Sequence, residues 1–402
     1  MTYDFTSIMD RHGMDSIAVD GLGAGDGAPE PPEEGFDAIP MWVADMNFPV
    51  VRTVQQSIVE RVGHPAFGYF APTEDYFRSI IDWQRDRNGV EGLLPEHIGY
   101  ENGVLGGVVA AVSAFAAPGD AVLVHSPTYI GFTKSLENAG FRIVLSPLVL
   151  DDQGVWRMDY EDMERKLEEN RIHAAIFCSP HNPCGRVWER SEIERAMDIY
   201  RRHDCLVVSD EIWSDLVMPG FKHVPTQSVS EDARMRTVAL YAPSKTFNLA
   251  GLVGSYHIVY NDYIRDRMEA QSSKCHYNAM NVLSMHALVG AYRPEGRVWV
   301  DELREVLAGN IDWACNHIAA SYPGVTVSQP QGTYMLFVDC TEWCRAHGRD
   351  IDWVLREGWR VGVAWQDGRP FHGPCHIRMN LALPLSRVQE AFRRLDKYVF
   401  EA

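Results

Sequence analysis

The sequence has no apolar run approaching the ~20 residues that a membrane-spanning helix needs, and its opening, Met1-Thr-Tyr-Asp-Phe5, carries neither a basic nor an apolar leader pattern. A cytoplasmic protein is expected. Basic residues are in short supply: 37 Lys and Arg against 55 Asp and Glu leave a formal charge of -18, a field that repels nucleic-acid phosphates and anionic membranes. Neither is expected as a partner. Eight cysteines scattered through 402 residues are too sparse for the disulfide framework of a small secreted fold, so reduced thiols are expected. Cys340-Thr-Glu-Trp-Cys344 with His347, and His372-Gly-Pro-Cys-His376, contain metal-ligand residue types, but neither has a second half at zinc-finger spacing. No metal is expected. Internal repeats are absent as well.

The one biased tract is 13–38, where Gly21-Leu-Gly-Ala-Gly25 and Pro29-Glu-Pro-Pro-Glu-Glu34 offer little to bury. It reads as an exposed N-terminal arm or loop. Its glycines do not make a dinucleotide fingerprint, because no strand precedes them and prolines follow where a helix would start.

What the chain does have is length and 46% hydrophobic residues, enough for a large core and for two domains of unequal size. From about residue 100 helical and strand patterns alternate. Short apolar strands are expected at 121–125, 142–145, 174–178, 206–209, 238–241 and 256–260, with helices at 104–116, 158–170 and 192–203 among them. Such interleaving predicts an α/β fold with a largely parallel sheet covered on both faces. Long helical stretches at 278–291 and 295–321 follow. A smaller α+β unit is then expected from strands at 332–339 and 376–380 and helices near 351–357 and 386–398.

Candidate catalytic residues fall at the carboxyl ends of the strands, where open α/β sheets bind ligands. Lys245, in Tyr241-Ala-Pro-Ser-Lys-Thr-Phe247, is an amine able to form a Schiff base if its apolar surroundings lower its pKa; alone it would be an ordinary loop lysine. Asp210, in Ser209-Asp-Glu211, can hold a pyridinium, or can simply cap the next element. Glu211 is expected on the opposite side, without a catalytic role. Asn182, in Ser179-Pro-His-Asn-Pro-Cys-Gly185, can donate to a phenolate, although any Asn-Pro pair can be only a turn. Gly103 leaves free N–H groups at Val104 and Leu105 for a phosphate, or a capped helix with no ligand. Tyr129 can stack on an aromatic ring or pack in the core. Arg378, a lone charge in an apolar strand, can grip a substrate α-carboxylate or pair with a protein carboxylate. Together these read as a pyridoxal 5'-phosphate site. His12, His223 and His286 look isolated and receive no role.

Five motifs reinforce that reading: Pro40-Met-Trp-Val-Ala-Asp-Met46, Phe67-Gly-Tyr69, Ser179-Pro-His-Asn-Pro183, Ser209-Asp-Glu-Ile212 and Ser244-Lys-Thr-Phe-Asn-Leu-Ala-Gly-Leu252. With them the chain resembles the fold-type I pyridoxal phosphate enzymes over nearly its whole length. Within these it is similar to the MalY/PatB branch of cystathionine β-lyases and cysteine-S-conjugate C–S lyases. The resemblance implies an aspartate-aminotransferase-like fold: an arm and part of a small domain at 1–50, a large cofactor-binding domain at 51–295, and a small domain at 296–402. It implies that Lys245 is the Schiff-base lysine, Asp210 the pyridinium partner, Asn182 the phenolate donor, Tyr129 the stacking ring and Arg378 the carboxylate clamp. It further implies a homodimer with shared sites, in which Tyr69 reaches the cofactor phosphate of the neighbouring subunit. Residues 42–45 would line the substrate entrance, Trp42 among them, with the Ala44 backbone near the carboxylate.

Three positions depart from the pattern. Ala242 stands where many relatives carry a hydroxyl for the phosphate, so Ser244 and the helix start must do more. Trp213 replaces a Tyr or His. Leu252 and Val253 occupy the place of an arginine found in many aminotransferases, and its absence favours the lyase branch. The expected reaction is cleavage of an L-cysteine thioether, such as cystathionine, to a thiol, pyruvate and ammonia. Lys245 serves as covalent partner and then as base. An amino-acid aminotransferase is the alternative, and a regulatory binding protein on the same fold a third reading.

Overall fold

The computed structural model describes residues 1–25, 27–274 and 278–400. Its strands are β1 (Ile39–Pro40), β2 (Ile98–Asn102), β3 (Ala121–Ser126), β4 (Arg142–Leu150), β5 (Trp156–Met158), β6 (Ala174–Cys178) and β7 (Leu206–Asp210). They continue with β8 (Thr237–Tyr241), β9 (Gly254–Ile258), β10 (Thr326–Val327), β11 (Met335–Asp339), β12 (Val363–Ala364), β13 (Gln366–Asp367) and β14 (His376–Asn380). The main sheet has the order β2-β9-β8-β7-β6-β3-β4-β5.

The five inner strands, β8-β7-β6-β3-β4, are parallel, whereas β2, β9 and β5 pair antiparallel at the two sides. The sheet is largely parallel, as expected, with antiparallel strands added at its two sides. β2 was not anticipated, because Ile98-Gly-Tyr-Glu-Asn102 has only one strongly apolar residue and is recruited by β9 rather than by its own pattern. The expected helix at 158–170 begins only at Tyr160: Met158 pairs with Leu148 in β5, and Asp159 caps the helix by accepting from the Asp162 N–H.

Successive side chains of the inner strands alternate between two cores. Val122, Val124, Ala174, Ile176, Cys178, Leu206 and Val208 pack under the helix Val104–Phe115, while Leu123, Ala175, Phe177 and Val207 pack against the helices Tyr160–Asn170 and Arg190–Arg202. This two-residue period carries Cys178, Asp210 and Ala242 to the same face as the N-terminus of helix Val104–Phe115. Glu211 falls on the other face. The strand ends thus decide which carboxylate meets the site.

Beyond the helix Pro294–Ser321 lies an antiparallel sheet, β10-β11-β14-β13, backed by helices Ile351–Arg360 and Leu385–Leu395. The strand expected at 332–339 starts at Met335, because Gly332 bridges to Val217 and Thr333 takes a left-handed φ of 66°. Within 13–38, residue 26 lies outside the described residues, and the remainder is mostly exposed; it includes a short helix, Ile17–Asp20, of which Ala18 is buried. The chain after it is less detached than an arm, since β1 pairs in parallel with β12. Among the described residues no helix is long and apolar enough to cross a membrane, the cysteines are free, and no three metal-ligating side chains converge.

Candidate active site

A cavity of about 200 Å³ opens at the carboxyl ends of β6, β7 and β8, and Asn182, Asp210 and Lys245 all line it. Lys245 lies in the short helix Pro243–Thr246 that follows β8. Its Nζ donates to the Ala44 carbonyl at 2.9 Å and stands 5.7 Å from the Trp213 ring. Burial, assisted by the positive charge of Arg378, lowers its pKa to about 8, against the opposing pull of Asp45 and Asp210. A sizeable fraction is thus a free amine near neutral pH, as a Schiff-base nucleophile requires.

Asp210 ends β7 with its Oδ1 accepting from the Ile212 N–H at 3.0 Å. Burial pushes its pKa up to about 7. A carboxylate so placed is short of positive charge, and a protonated ring nitrogen would supply it. Glu211 is the contrast. It is fully buried yet accepts from Ser209 Oγ at 2.9 Å, Thr226 N at 3.0 Å and Tyr241 Oη at 2.6 Å, with His223 Nε2 at 2.7 Å. His223, which looked isolated in the sequence, is a partner in this buried cluster.

Arg378, on β14, is 3% exposed. It donates to the Trp42 carbonyl at 3.0 Å, to Gln366 Oε1 at 2.5 Å and weakly to Asn182 Oδ1 at 3.4 Å, and it lies 4.4 Å over the Phe371 ring. Among the described residues no carboxylate pairs with it, and its Nε is buried without a partner. The protein-carboxylate alternative is therefore not what the structure contains. Burial lowers this guanidinium's pKa to about 10, so it remains charged and can take an anionic ligand.

Gly103, with φ 83°, turns the chain into helix Val104–Phe115, and Val104 and Leu105 line the cavity with unspent first-turn N–H groups. Ser244 and Ala242 line it too. The arrangement fits pyridoxal phosphate: anion donors, a cation-seeking carboxylate and an amine line one cavity. Tyr129 borders the cavity, its ring edge-on to Phe132 at 5.4 Å, and a Cβ on Gly131 would clash with that ring.

Two expected residues lie elsewhere in this chain. Tyr69 sits in the exposed run 62–75 and does not border the cavity. The Trp42 indole donates to the Ala18 carbonyl at 3.0 Å, and only its backbone reaches Arg378. Conversely, Cys178, Ile212 and Ser255 border the cavity without having been anticipated. Cys178 shares the pleat parity of Asp210 and was findable on that ground; Ser255 comes from the antiparallel β9, which local pattern does not place.

Trp213 packs edge-on against Tyr334 at 4.8 Å and forms an apolar wall next to Lys245. The segment before β2 is held from several sides. Every carbonyl from 41 to 46 accepts a hydrogen bond, from Asn380 N, Arg378, Asn380 Nδ2, Lys245, Asn380 Nδ2 and Asn248 Nδ2 in turn. Neither asparagine was singled out from the sequence.

The family model for aminotransferase class I and II matches residues 50–395. The chain is 33% identical to cystathionine beta-lyase PatB of Bacillus subtilis (strain 168) over 362 residues, covering 89% of this chain and 92% of that one. It is 27% identical to protein MalY of Escherichia coli (strain K12), covering 96% of each. Among solved structures, cystalysin from Treponema denticola, which contains a pyridoxal 5'-phosphate cofactor, superposes with a TM-score of 0.89 at 30% identity over 99% of this chain and 98% of that one. A pyridoxal-phosphate-bound C–S lyase from Staphylococcus hominis gives 0.88 at 26% identity, over 99% and 98%. With a family model matched over 50–395 and a relative 33% identical over 89% of the sequence, this chain belongs to the aminotransferase class I and II family.

Proposed function

We propose that the protein is a pyridoxal 5'-phosphate-dependent C–S β-lyase that cleaves L-cystathionine or a related cysteine S-conjugate to a thiol, pyruvate and ammonia. One observation carries the reading: a depressed Lys245 and an uncompensated Asp210 line a single cavity, and the buried Arg378, which pairs with no carboxylate among the described residues, reaches Asn182 on the cavity wall. An α-amino acid and a protonated pyridine ring complement those charges.

Bound pyridoxal phosphate supplies the electron sink for charge developing at the substrate α-carbon. The protein's own groups do the rest. Arg378 grips the α-carboxylate through its free Nε edge, and Lys245, as a neutral amine, takes the α-proton. Asp210 holds a proton at the ring nitrogen, and Asn182 donates to the phenolic oxygen. Tyr129 covers a ring face. Val104 and Leu105 N–H groups, with the Ser244 hydroxyl, hold the phosphate. Trp213 walls the lysine side of the cavity with an apolar ring.

The aminotransferase reading shares these groups and has the family model in its favour. The lyase reading is preferred because Leu252 and Val253 supply no second cation and because relatives named as cystathionine beta-lyases align over 89% of the chain. A homodimer with shared sites belongs to the same proposal, supported by the exposed Phe67, Tyr69 and Phe70 on 62–75. So does the division into an arm at 1–50, a cofactor-binding unit at 51–295 and a small unit at 296–402, and a cytoplasmic location.

Absorption spectroscopy of the purified protein, followed by L-cystathionine and assays for thiol and pyruvate, tests the reading. A visible band that borohydride bleaches, with equimolar thiol and pyruvate, is expected. The band without thiol release would transfer the assignment to aminotransfer, and no band after added cofactor would overturn it.

A further inference from the structure

Arg11 belongs to the N-terminal stretch ahead of the glycine-rich tract, far in sequence from every catalytic candidate. Its guanidinium nevertheless forms a two-pronged pair with Asp45, through Nη1 at 3.1 Å to Oδ1 and through Nη2 to Oδ2. Nη1 also reaches Asn47 Oδ1 at 3.1 Å and the Met46 carbonyl at 3.4 Å. Both side chains of the pair are largely buried, 14% and 17% exposed, so solvent screening between them is reduced. Asp45 directly follows Ala44, whose carbonyl receives the Lys245 amine.

We propose that Arg11 is a positioning residue for Lys245: by gripping Asp45 it holds the Ala44 carbonyl where it orients the lysine amine and weakens the pull of that carboxylate on the amine. The inference rests on Lys245 being the cofactor lysine. An amine that donates one N–H to Ala44 directs its lone pair away from that carbonyl, toward the cavity. The groups facing Lys245 are Arg378 from β14, Asp210 from β7, Asp45 and the Trp213 ring. Those acting on Asp45 are Arg11 and Lys245, with the Tyr334 phenol nearby. Of these only Arg11 both grips Asp45 and ties the backbone beyond it.

The test compares wild type with Arg11→Gln, Arg11→Lys and Arg11→Gln/Asp45→Asn. Trace acetic anhydride labelling of the cofactor-free full chain across pH, read by peptide mass spectrometry, gives the Lys245 titration midpoint without any turnover. Arg11→Gln is expected to raise that midpoint by about one pH unit, because an unpaired carboxylate favours the ammonium more strongly. The deprotonated fraction, and with it the rate at which added cofactor becomes borohydride-trappable on Lys245 near pH 7, then falls about tenfold. Arg11→Lys should stay near wild type, and the double variant should return the midpoint toward it. An unchanged midpoint in Arg11→Gln, or no return in the double variant, would overturn the role of Arg11. Absence of a borohydride-trapped cofactor on wild-type Lys245 would overturn the functional reading and this inference together, whereas a trapped cofactor with an unmoved midpoint overturns this inference alone.

Discussion

The Arg378 guanidinium lies 4.4 Å over the Phe371 ring, and its Nε is buried without a hydrogen-bond partner. The ring offers a charge-quadrupole contact, weaker than a carboxylate, so the cation is kept in readiness for an anionic ligand. Arg378→Met should lower kcat/KM for a cysteine thioether by more than a hundredfold, the equivalent of about 3 kcal/mol for losing a buried charged contact. Thermal stability of the same variant should be unchanged or improved, because an unpaired buried charge leaves with it. Steady-state kinetics and a melting curve on one preparation check both halves.

Asp210 makes the cofactor-free protein sensitive to pH in a direction opposite to most carboxylates. Its folded pKa is raised to about 7 from 3.8, so the folded state binds the extra proton and Asp210 favours folding below about pH 4. That contribution is lost as pH rises through 7. Asp210→Asn, which cannot ionise, should gain on wild type by about 2–4 kcal/mol between pH 4 and pH 8. Denaturant unfolding of the cofactor-free proteins at the two pH values measures it. Added cofactor should abolish the difference by supplying the missing positive charge.

Lys245 titrates in the other window. Its pKa is depressed to about 8 from 10.5, so the unfolded chain binds more protons between those values and stability rises with pH there. Lys245→Met should therefore stabilise the cofactor-free chain most below pH 8 and progressively less toward pH 10.5, as melting temperatures across that range would record.

His223 serves the fold rather than the chemistry. Its Nε2 is 2.7 Å from buried Glu211, and His223→Ala should cost about 2–4 kcal/mol by leaving that carboxylate short of a partner. The visible spectrum of any folded, cofactor-loaded fraction should be unaltered. A shifted band would mean that the Glu211 cluster reaches through the sheet to Asp210.

Tyr69 provides a test of shared sites. If it completes the neighbouring subunit's phosphate pocket, Lys245→Ala and Tyr69→Ala proteins, each inactive, should recover roughly a quarter of wild-type activity after co-refolding, since half the dimers are hybrids with one intact site. No recovery would confine each site to its own chain.

Much of this fold and site is legible in the sequence. The strand expected at 174–178 and that at 376–380 match β6 and β14, since each is a short run bounded by turn-forming residues. Lys245, Asp210 and Asn182 come together because strand ends in such sheets share one edge. What escaped is what depends on a distant partner. β2 exists through β9, β5 through β4, and the Arg11–Asp45 pair through a chain reversal that no local period encodes. Asn380 is similarly mute in sequence: one amide holds the carbonyls of Val43 and Asp45 at 2.7 and 2.6 Å across the fold.

The alternation of β7 between its two cores has a consequence for how this site can change. Asp210 and Glu211 are adjacent acids with opposite fates, one left wanting a cation and one saturated with donors, and only pleat parity separates them. A single-residue insertion or deletion within Leu206–Asp210 would exchange their faces at a stroke, exposing the satisfied acid to the cavity and burying the reactive one among Ser209, Thr226 and Tyr241. Substitutions can tune this centre by degrees, but length changes in that strand act as an on-off switch, so natural variation in chain length should be confined to loops away from it.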